Sequence, residues 1–220
     1  GDFVEIYLRR SHDFFAHPDY RLFDAPTQQA VSAFFDNGGD TAHVFGICVE
    51  SADDLRLPSG MMGVLTPTLD RLRSEEDIAI LLVPSAAYMR CHVDRDGGVR
   101  ADVEALYDEL LAHCREMNNR FLVMDAPRGL HEGLLERWVR GLRSRHPENR
   151  AFGAIYYPWI CNGDDVSPPS GAVAGTFARV EIEHGAFGVM WPPANIPLRG
   201  VTHCEVGLTW GEAGAYADQA

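Results

Sequence analysis

Residues 120–127 read Arg-Phe-Leu-Val-Met-Asp-Ala-Pro (RFLVMDAP), an apolar run of strand length that ends in an acidic residue and a proline. Such a run is typical of a strand buried on both faces of a sheet. The flanking stretches have helical spacing instead. Apolar residues recur at intervals of three and four before and after the run, at Val103, Leu106, Leu110, Leu111 and Cys114 and at Leu134, Leu135, Trp138, Val139 and Leu142. The sequence therefore predicts a strand over 120–124 between amphipathic helices over 102–118 and 130–145.

Two more apolar runs lie outside these helices. Residues 78–83 (IAILLV) precede the first helix, and residues 152–157 (FGAIYY) follow the second. Strands that alternate with helices in this way predict parallel pairing. Because parallel connections are right-handed and these strands are apolar throughout, helices should cover both faces of the sheet. We predict an α/β fold of doubly wound type, mainly a parallel sheet with helices on both faces.

The sequence before these elements is less regular. Residues 1–26 are rich in aromatic side chains but lack a clean period, so we predict an irregular N-terminal segment, followed by an α/β core domain over residues 27–220. A short helix is expected to begin at Thr27 as its cap and to end at Asn37-Gly38-Gly39. Residues 43–49 predict a strand covered on both faces, and the Pro/Gly-rich residues 57–63 predict a loop.

The last third of the chain is richer in proline. Residues 167–171 (SPPSG) should stop the preceding element, and Ser170 can cap a helix that runs to about His184. Residues 191–198 (WPPANIPL) contain too many prolines for a helix or a central strand, and residues 202–210 predict an edge strand. We therefore expect a Pro-rich C-terminal segment along the surface of the domain.

Composition limits the possible partners. The 220 residues provide room for one substantial α/β domain or two small ones. The 19 basic residues, all arginine, stand against 32 acidic ones and give a net charge of −13. An acidic surface of this kind repels phosphate backbones and anionic lipids, so we expect neither a nucleic acid nor a membrane as a partner.

Cysteine usage and the N-terminus bear on the compartment. The five cysteines form no C-x-x-C pair, and an odd number cannot close completely into intramolecular bridges, so we expect a reducing compartment. No apolar stretch approaches the roughly 18 to 20 residues that a membrane span needs, and the N-terminus does not resemble a signal peptide. Gly1 stands where an initiator Met would be expected, which indicates a trimmed sequence.

Motifs for catalysis or metal binding are weak. The nine histidines include no H-E-x-x-H pattern, and no strand runs into a glycine-rich phosphate loop. We therefore predict no metal and no cofactor. Asp125 is the best catalytic candidate, because α/β enzymes place such groups at strand ends. A cap of the turn formed by residues 125–129 is the favoured interpretation of Asp125.

An ordered set of blocks resembles the contractile tail sheath proteins of phages and related injection systems. Upstream blocks of the resemblance are residues 34–39 (FFDNGG), 77–84 (DIAILLVP) and 120–127. The C-terminal blocks supply the motif and candidate interface residues, which are Tyr157, Pro158, Trp159, Pro168, Pro169, Ser170, Gly171, Arg179, Trp191, Pro193, Ala194, Asn195, Pro197 and Arg199. The resemblance extends from about residue 27 to residue 210.

The resemblance implies a mechanical function and no enzymatic activity. Sheath subunits stack as six-fold rings or an equivalent helix around an inner tube protein, between a baseplate and a cap. They are built in an extended, high-energy state and contract to drive the tube through a target envelope. The free energy lies in the difference between two sets of subunit contacts, without a cofactor. The implied location is a virion tail or a phage-like particle assembled in the bacterial cytoplasm.

Two departures from the family pattern keep alternatives open. Sheath proteins begin with an extended arm and end with a further segment, and both are expected to lie outside these 220 residues. Those arms add strands to neighbouring subunits, so we expect the chain to fold but expect polymerisation to need the arms. Residues 190–193 (MWPP) also differ from the family segment. The alternatives are a sheath-like cap or baseplate adaptor and, more remotely, an α/β hydrolase or ligand-binding enzyme.

The Pro-rich stretch also has two possible roles. It can pack on its own domain or face a neighbouring subunit. We favour packing on its own domain, because burying Trp191 would remove a large apolar surface from water.

Overall fold

The computed structural model describes residues 3–47, 58–130, 132–185 and 193–208. The helices are α1 (Ser11–Ala16), α2 (Ala25–Asp36), α3 (Pro58–Arg73), α4 (Glu104–Met117), α5 (Glu132–Arg145) and α6 (Ser170–His184). The strands are β1 (Phe3–Leu8), β2 (Ala42–Ile47), β3 (Ile80–Leu81), β4 (Cys91–Val93), β5 (Val99–Ala101), β6 (Phe121–Asp125), β7 (Gly153–Tyr156), β8 (Ile160–Asn162), β9 (Asp165–Ser167) and β10 (His203–Cys204). Short 3-10 turns occupy Pro18–Leu22, Pro84–Tyr88 and Pro147–Phe152.

The predicted parallel sheet is present, with β6 in its centre. The strand order is β3-β6-β7, and both pairings are parallel, with Leu81 opposite Leu122 and Val123 opposite Ala154. The predicted bounds of β6, β7, α4 and α5 agree with the observed ones to within two residues. β3 is shorter than expected, since only Ile80 and Leu81 of the apolar run pair with β6.

Helices cover both faces of this sheet, as predicted. Leu122 and Met124 of β6 belong to the main apolar core, together with residues of α3, α4 and α5. Phe121 lies on the opposite face, where its ring is 6.4 Å from that of Phe177 in α6. Because successive residues of a strand point to opposite faces, β6 packs α4 on one side and α6 on the other. The fold class is α/β.

Helix α2 packs closely on the outer side of α6. A Cβ atom added at Gly171 would lie 2.5 Å from the Ala30 carbonyl oxygen, and one added at Gly175 would lie 2.1 Å from the Phe34 carbonyl oxygen. Only glycine allows the two backbones to approach so closely. The glycines of α6 therefore fix a second helical layer outside the sheet.

The prediction of an irregular segment over residues 1–26 is wrong. This segment contains β1, α1 and a 3-10 turn, and β1 pairs antiparallel with β2, with Tyr7 opposite His43. Alternating residues of β1 enter a small second core around Ile6, Leu8 and Phe14. A partner strand about 35 residues further along the chain completes this element, which local periodicity does not reveal. The division of the chain at residue 27 stays a prediction.

Three local expectations for the first half are also corrected. β2 is not buried on both faces, since Val44 is buried but His43 and Phe45 are only half-buried. Helix α2 begins at Ala25, two residues before the expected start at Thr27. The side chain of Asp24 is its cap and accepts a hydrogen bond of 3.0 Å from the Thr27 N–H. Residues 58–63 of the expected loop belong to α3, since proline is compatible with a first helical turn and glycine only weakens a helix.

The C-terminal part largely follows the prediction. Helix α6 occupies the expected range, although the Ser170 side chain does not cap it. The expected edge strand over 202–210 is reduced to β10, which pairs with β8, and residues 209 and 210 lie outside the described residues. Residues 193–202 contain neither a helix nor a strand. No helix in the described ranges is long and apolar enough to cross a membrane.

Candidate assembly interface

Asp125 joins the central strand to α6. It ends β6 with 1% of its surface exposed, and its Oδ1 accepts a hydrogen bond of 2.8 Å from the backbone N–H of Ser170. The Tyr107 hydroxyl donates to the Asp125 main-chain carbonyl over 3.0 Å. Burial raises the pKa of Asp125 to about 7, because desolvation disfavours the carboxylate, whereas hydrogen bonding to Ser170 favours it. Asp125 thus caps α6 and not the turn over 125–129 that the sequence indicated.

The hydrolase alternative would place an active site at Asp125. Such a site needs an open cavity and a second titratable group. Asp125 lines neither of the two grooves described below. His113 lies on α4 with its Nε2 3.0 Å from Arg120, and burial together with the Arg120 charge lowers its pKa to about 4. Within the described ranges, no three His, Cys, Asp or Glu residues are placed to hold a metal ion.

Trp159 holds the loops after β6 and β7 together. Its side chain is 2% exposed, and its indole N–H donates a hydrogen bond of 2.8 Å to the Ala126 carbonyl. The Arg128 guanidinium lies 5.3 Å from the indole centroid, and the Tyr88 ring meets it edge-on at 4.9 Å. The preceding Tyr157–Pro158 bond is cis, and both residues are half-buried. The Tyr-Pro-Trp motif therefore builds the carboxyl edge of the sheet.

Two adjoining grooves lie at this edge. The first has a volume of about 270 Å³, and its lining includes Leu130, Tyr157, Trp159 and Val206. The second has a volume of about 230 Å³ and lies between the β4–β5 hairpin and the start of α5. Residues 128–130 line both grooves. Both are mainly apolar, which makes this edge a candidate contact surface.

The second motif, residues 168–171, is buried. Pro168, Pro169, Ser170 and Gly171 lie below the surface, where Ser170 meets Asp125 and Gly171 meets α2. In the isolated chain these residues contact their own domain. The motif accounts for the orientation of α6, and its role as an interface stays a prediction.

The described part of the Pro-rich segment is attached to the domain by Asn37. The Asn37 side chain is fully buried, accepts a hydrogen bond of 2.7 Å from the Arg199 N–H and donates one of 3.2 Å to the Arg199 carbonyl. Arg179 of α6 donates to the Pro197 carbonyl over 3.3 Å. Ala194, Asn195, Pro197 and Arg199 are exposed, and Pro193 is half-buried. The segment packs on its own domain at these points, while Trp191 lies outside the described residues.

Sequence reasoning missed the residues that hold these segments in place. Asn37 was read only as the end of a helix, although it contacts a residue 162 positions later. Arg128 and Glu205, whose side chains lie 3.4 Å apart beside the first groove, were not singled out. The contact partners of Asn37 and Arg128 are distant in sequence, so the spacing of residue types along the chain gives no indication of these contacts. The available clue for Asn37 was an asparagine between a predicted helix and two glycines.

The fold occurs in known assemblies. No family model matches the sequence, and no curated protein matches it. A chain in the six-fold symmetrised cryo-EM structure of the anti-feeding prophage (AFP) baseplate is similar, with 20% identity and a TM-score of 0.58, over 96% of this chain and 50% of that chain. A chain in the contracted PVC sheath complex of an extracellular contractile injection system is similar, with 19% identity and a TM-score of 0.59, over 97% of this chain and 49% of that chain.

These likenesses concern the fold. The aligned region covers nearly all of this chain, and this chain spans about half the length of each similar chain. The α/β architecture described above is therefore one that occurs within larger subunits of contractile injection assemblies.

Proposed function

We propose that this chain is a structural subunit of a contractile injection system, and more specifically of its sheath. The single observation that carries the proposal is the likeness of almost the whole chain to a chain of a contracted sheath complex. The ordered sequence blocks from Phe34 to Arg199 resemble the same family, without any reference to the fold. In this proposal the chain polymerises around an inner tube and contracts to drive the tube through an envelope.

The proposed activity is mechanical, and the chain is not an enzyme. A contracting lattice needs interfaces that break and form again, and charged surfaces suit this because large apolar patches would lock or aggregate. The chain has a net charge of −13 and numerous surface ion pairs, such as Arg73 with Glu116 at 2.9 Å. The proposed partners are further copies of the chain in rings or a helix, the inner tube protein, the baseplate and the cap.

The motif residues include buried and exposed ones, and the proposal gives these two sets different roles. Trp159, Ser170 and Gly171 are buried and orient α6 and the strand ends. Exposed residues of the segment 193–199 are available to a neighbour. In the proposal, the buried set gives each subunit a rigid body, and the exposed set faces other subunits. The location in a virion tail or a phage-like particle belongs to the same proposal.

A baseplate adaptor or cap is the second candidate. The similarity to a chain of the AFP baseplate favours it as strongly as the other similarity favours a sheath, with TM-scores of 0.58 and 0.59. The hydrolase alternative has no comparable support, because Asp125 is buried and already bonded to Ser170.

Electron microscopy of the complete natural chain separates these candidates. The full reading frame and the present 220 residues are expressed in parallel and examined by negative stain. Hollow, striated cylinders from the complete chain support the sheath proposal, and their absence from the 220-residue form assigns polymerisation to the additional segments. A complete chain that stays monomeric contradicts the sheath proposal and favours the adaptor.

A further inference from the structure

The end of α6 has an exposed apolar residue between two acidic ones. Ile182 is 62% exposed, and Glu181 and Glu183 on either side are exposed as well. Within the described residues, neither glutamate has an ion-pair partner. Acidic side chains in the last turn of a helix are unfavourable, because the helix dipole is negative there. A positively charged side chain of a second molecule would offset this unfavourable interaction with the helix dipole.

The second groove offers a matching surface at the start of α5. Its lining includes Val93, Val99, Leu130 and Leu134, so its centre is apolar. No acidic residue is among the described residues that line it. Val93 is 53% exposed, which leaves this apolar surface open to solvent.

Two exposed arginines lie in or near this groove. Arg128 lines it, and half of the Arg128 side chain is exposed beside Glu205. Arg137 follows Leu134 by one turn of α5 and donates to the Gly97 carbonyl over 3.0 Å, which places its guanidinium across the β4–β5 turn. Arg137 is exposed, and among the described residues its guanidinium donates to the carbonyl oxygens of Gly97 and Gly133. The groove is thus apolar in the middle. Arg128, whose partner is Glu205, lies in its lining, and Arg137 lies one turn of α5 beyond the lining residue Leu134, so both arginines are opposite in charge to the glutamates at the α6 end.

The two surfaces lie at opposite ends of the sheet. Ser170 of α6 bonds to Asp125 at the carboxyl end of β6, and Phe177 contacts Phe121 at the amino end of the same strand. Helix α6 therefore runs antiparallel to β6 and carries Ile182 about 18 Å away from Ser170. The second groove follows the carboxyl end of β6, at residues 128–130. A molecule cannot use its own α6 end to fill its own groove.

We propose that Ile182 of one copy docks in the second groove of another copy, with Glu181 and Glu183 facing Arg128 and Arg137. The contact is heterologous, because the two surfaces differ and lie at opposite ends of the domain. Repetition of such a contact produces a ring or an open helix, according to whether the rotation closes. The inference rests on the proposed assembly function and names the faces through which copies stack head to tail.

The contact is tested on the 220-residue chain by sedimentation velocity over a concentration series at about 50 mM and about 500 mM salt, since salt screens exposed charge pairs. We expect reversible self-association that weakens at the higher salt. Ile182→Asp, Glu183→Arg and Arg137→Glu should each raise the dissociation constant at least about tenfold, and the double variant Glu183→Arg with Arg137→Glu should restore association.

Matched controls place the same charge changes at exposed residues that belong to neither surface. Arg150→Glu after α5 and Asp164→Arg in the β8–β9 turn alter exposed residues and should leave association unchanged. Circular dichroism checks that every variant is folded. A wild-type chain that stays monomeric throughout the series, or single variants that associate like the wild type, would overturn the docking contact. So would a double variant that associates no better than the single ones.

Failure of the docking contact can be distinguished from failure of the sheath proposal. Cylinders formed by a complete chain that carries Arg137→Glu as readily as by the wild type would remove the docking contact and leave the sheath proposal intact. Association that follows the charge exchange, together with a complete chain that forms no cylinders, would retain the contact and count against the sheath.

Discussion

The buried carboxylate of Asp125 and the backbone N–H of Ser170 are 2.8 Å apart, and this hydrogen bond joins the end of the central strand to the start of α6. The two residues are 45 positions apart in sequence. The second oxygen of Asp125 has no hydrogen-bond partner among the described residues. The bond therefore orients a helix at the cost of placing an ionisable group in an apolar environment.

Asp125 should make stability depend on pH. Its pKa is raised from 3.8 to about 7 in the folded chain, so the folded state binds the proton more tightly than the unfolded state does. The free energy of unfolding that Asp125 contributes is fully present below its unfolded pKa and is lost as pH rises through about 7. Urea unfolding from about pH 4 to about pH 8 should show this decline, which should end near pH 7.

Asp125→Asn isolates this contribution, because asparagine retains an acceptor for the Ser170 N–H and does not ionise in this range. The stability of the variant minus that of the wild type should increase with pH. A difference that is constant across the range would mean that the folded pKa of Asp125 is close to its unfolded value.

The contact between α2 and α6 should not tolerate a methyl group at Gly175. An added Cβ would lie 2.1 Å from the Phe34 carbonyl oxygen, so Gly175→Ala forces the helices apart and should cost about 2 kcal/mol or more. Gly141→Ala in α5 is the matched control, since a Cβ there meets no atom within 4 Å. Helix propensity predicts a gain of about 0.5–1 kcal/mol for the control. Equal effects on chemical unfolding would contradict the close packing.

Trp159 should stabilise the carboxyl edge through its indole N–H. Trp159→Phe retains an aromatic ring but leaves the buried Ala126 carbonyl without its donor, which should cost about 1–3 kcal/mol in chemical unfolding. Tyr88→Phe retains the edge-on ring contact with Trp159 and should have a small effect. If both variants lose the same stability, the hydrogen bond to Ala126 is not important.

Asn37→Ala should release the segment that contains Arg199. Both Arg199 backbone groups bond to the Asn37 side chain, so their loss should increase hydrogen exchange in a peptide covering residues 195–203. Mass spectrometry measures this exchange. Asn119→Ala removes an exposed asparagine that bonds to Glu76 elsewhere and serves as the control. Unchanged exchange near Arg199 in Asn37→Ala would show that other contacts hold the segment.

The sequence predicted those parts of the fold that depend on local pattern. The strand at 121–125 and the helices α4, α5 and α6 follow from apolar spacing and proline placement, so their bounds were close. β1 escaped prediction because its pairing with β2 is non-local. Helix α3 was not predicted at all, and its first residues, which include Pro58 and Gly63, were read as part of a loop.

The candidate surfaces were less predictable. Asp125 was identified as a residue at a strand end, but its partner Ser170 could not be inferred, since it depends on where α6 crosses the sheet. The same holds for Asn37 with Arg199. The motif Pro168 to Gly171 was read from sequence as a possible interface, whereas the structure places it in the interior. Sequence spacing does not distinguish a residue needed for packing from one needed for contact.

The central claim is tested most directly by locating the chain in particles from its source cells. Antibodies raised against the 220 residues, coupled to gold, are applied to purified tail-like particles for electron microscopy. The proposal predicts label along the entire outer length of the particles, since every ring would contain copies of the chain. Particles without any label, in preparations where the antibody detects the chain in the cell lysate, would contradict it.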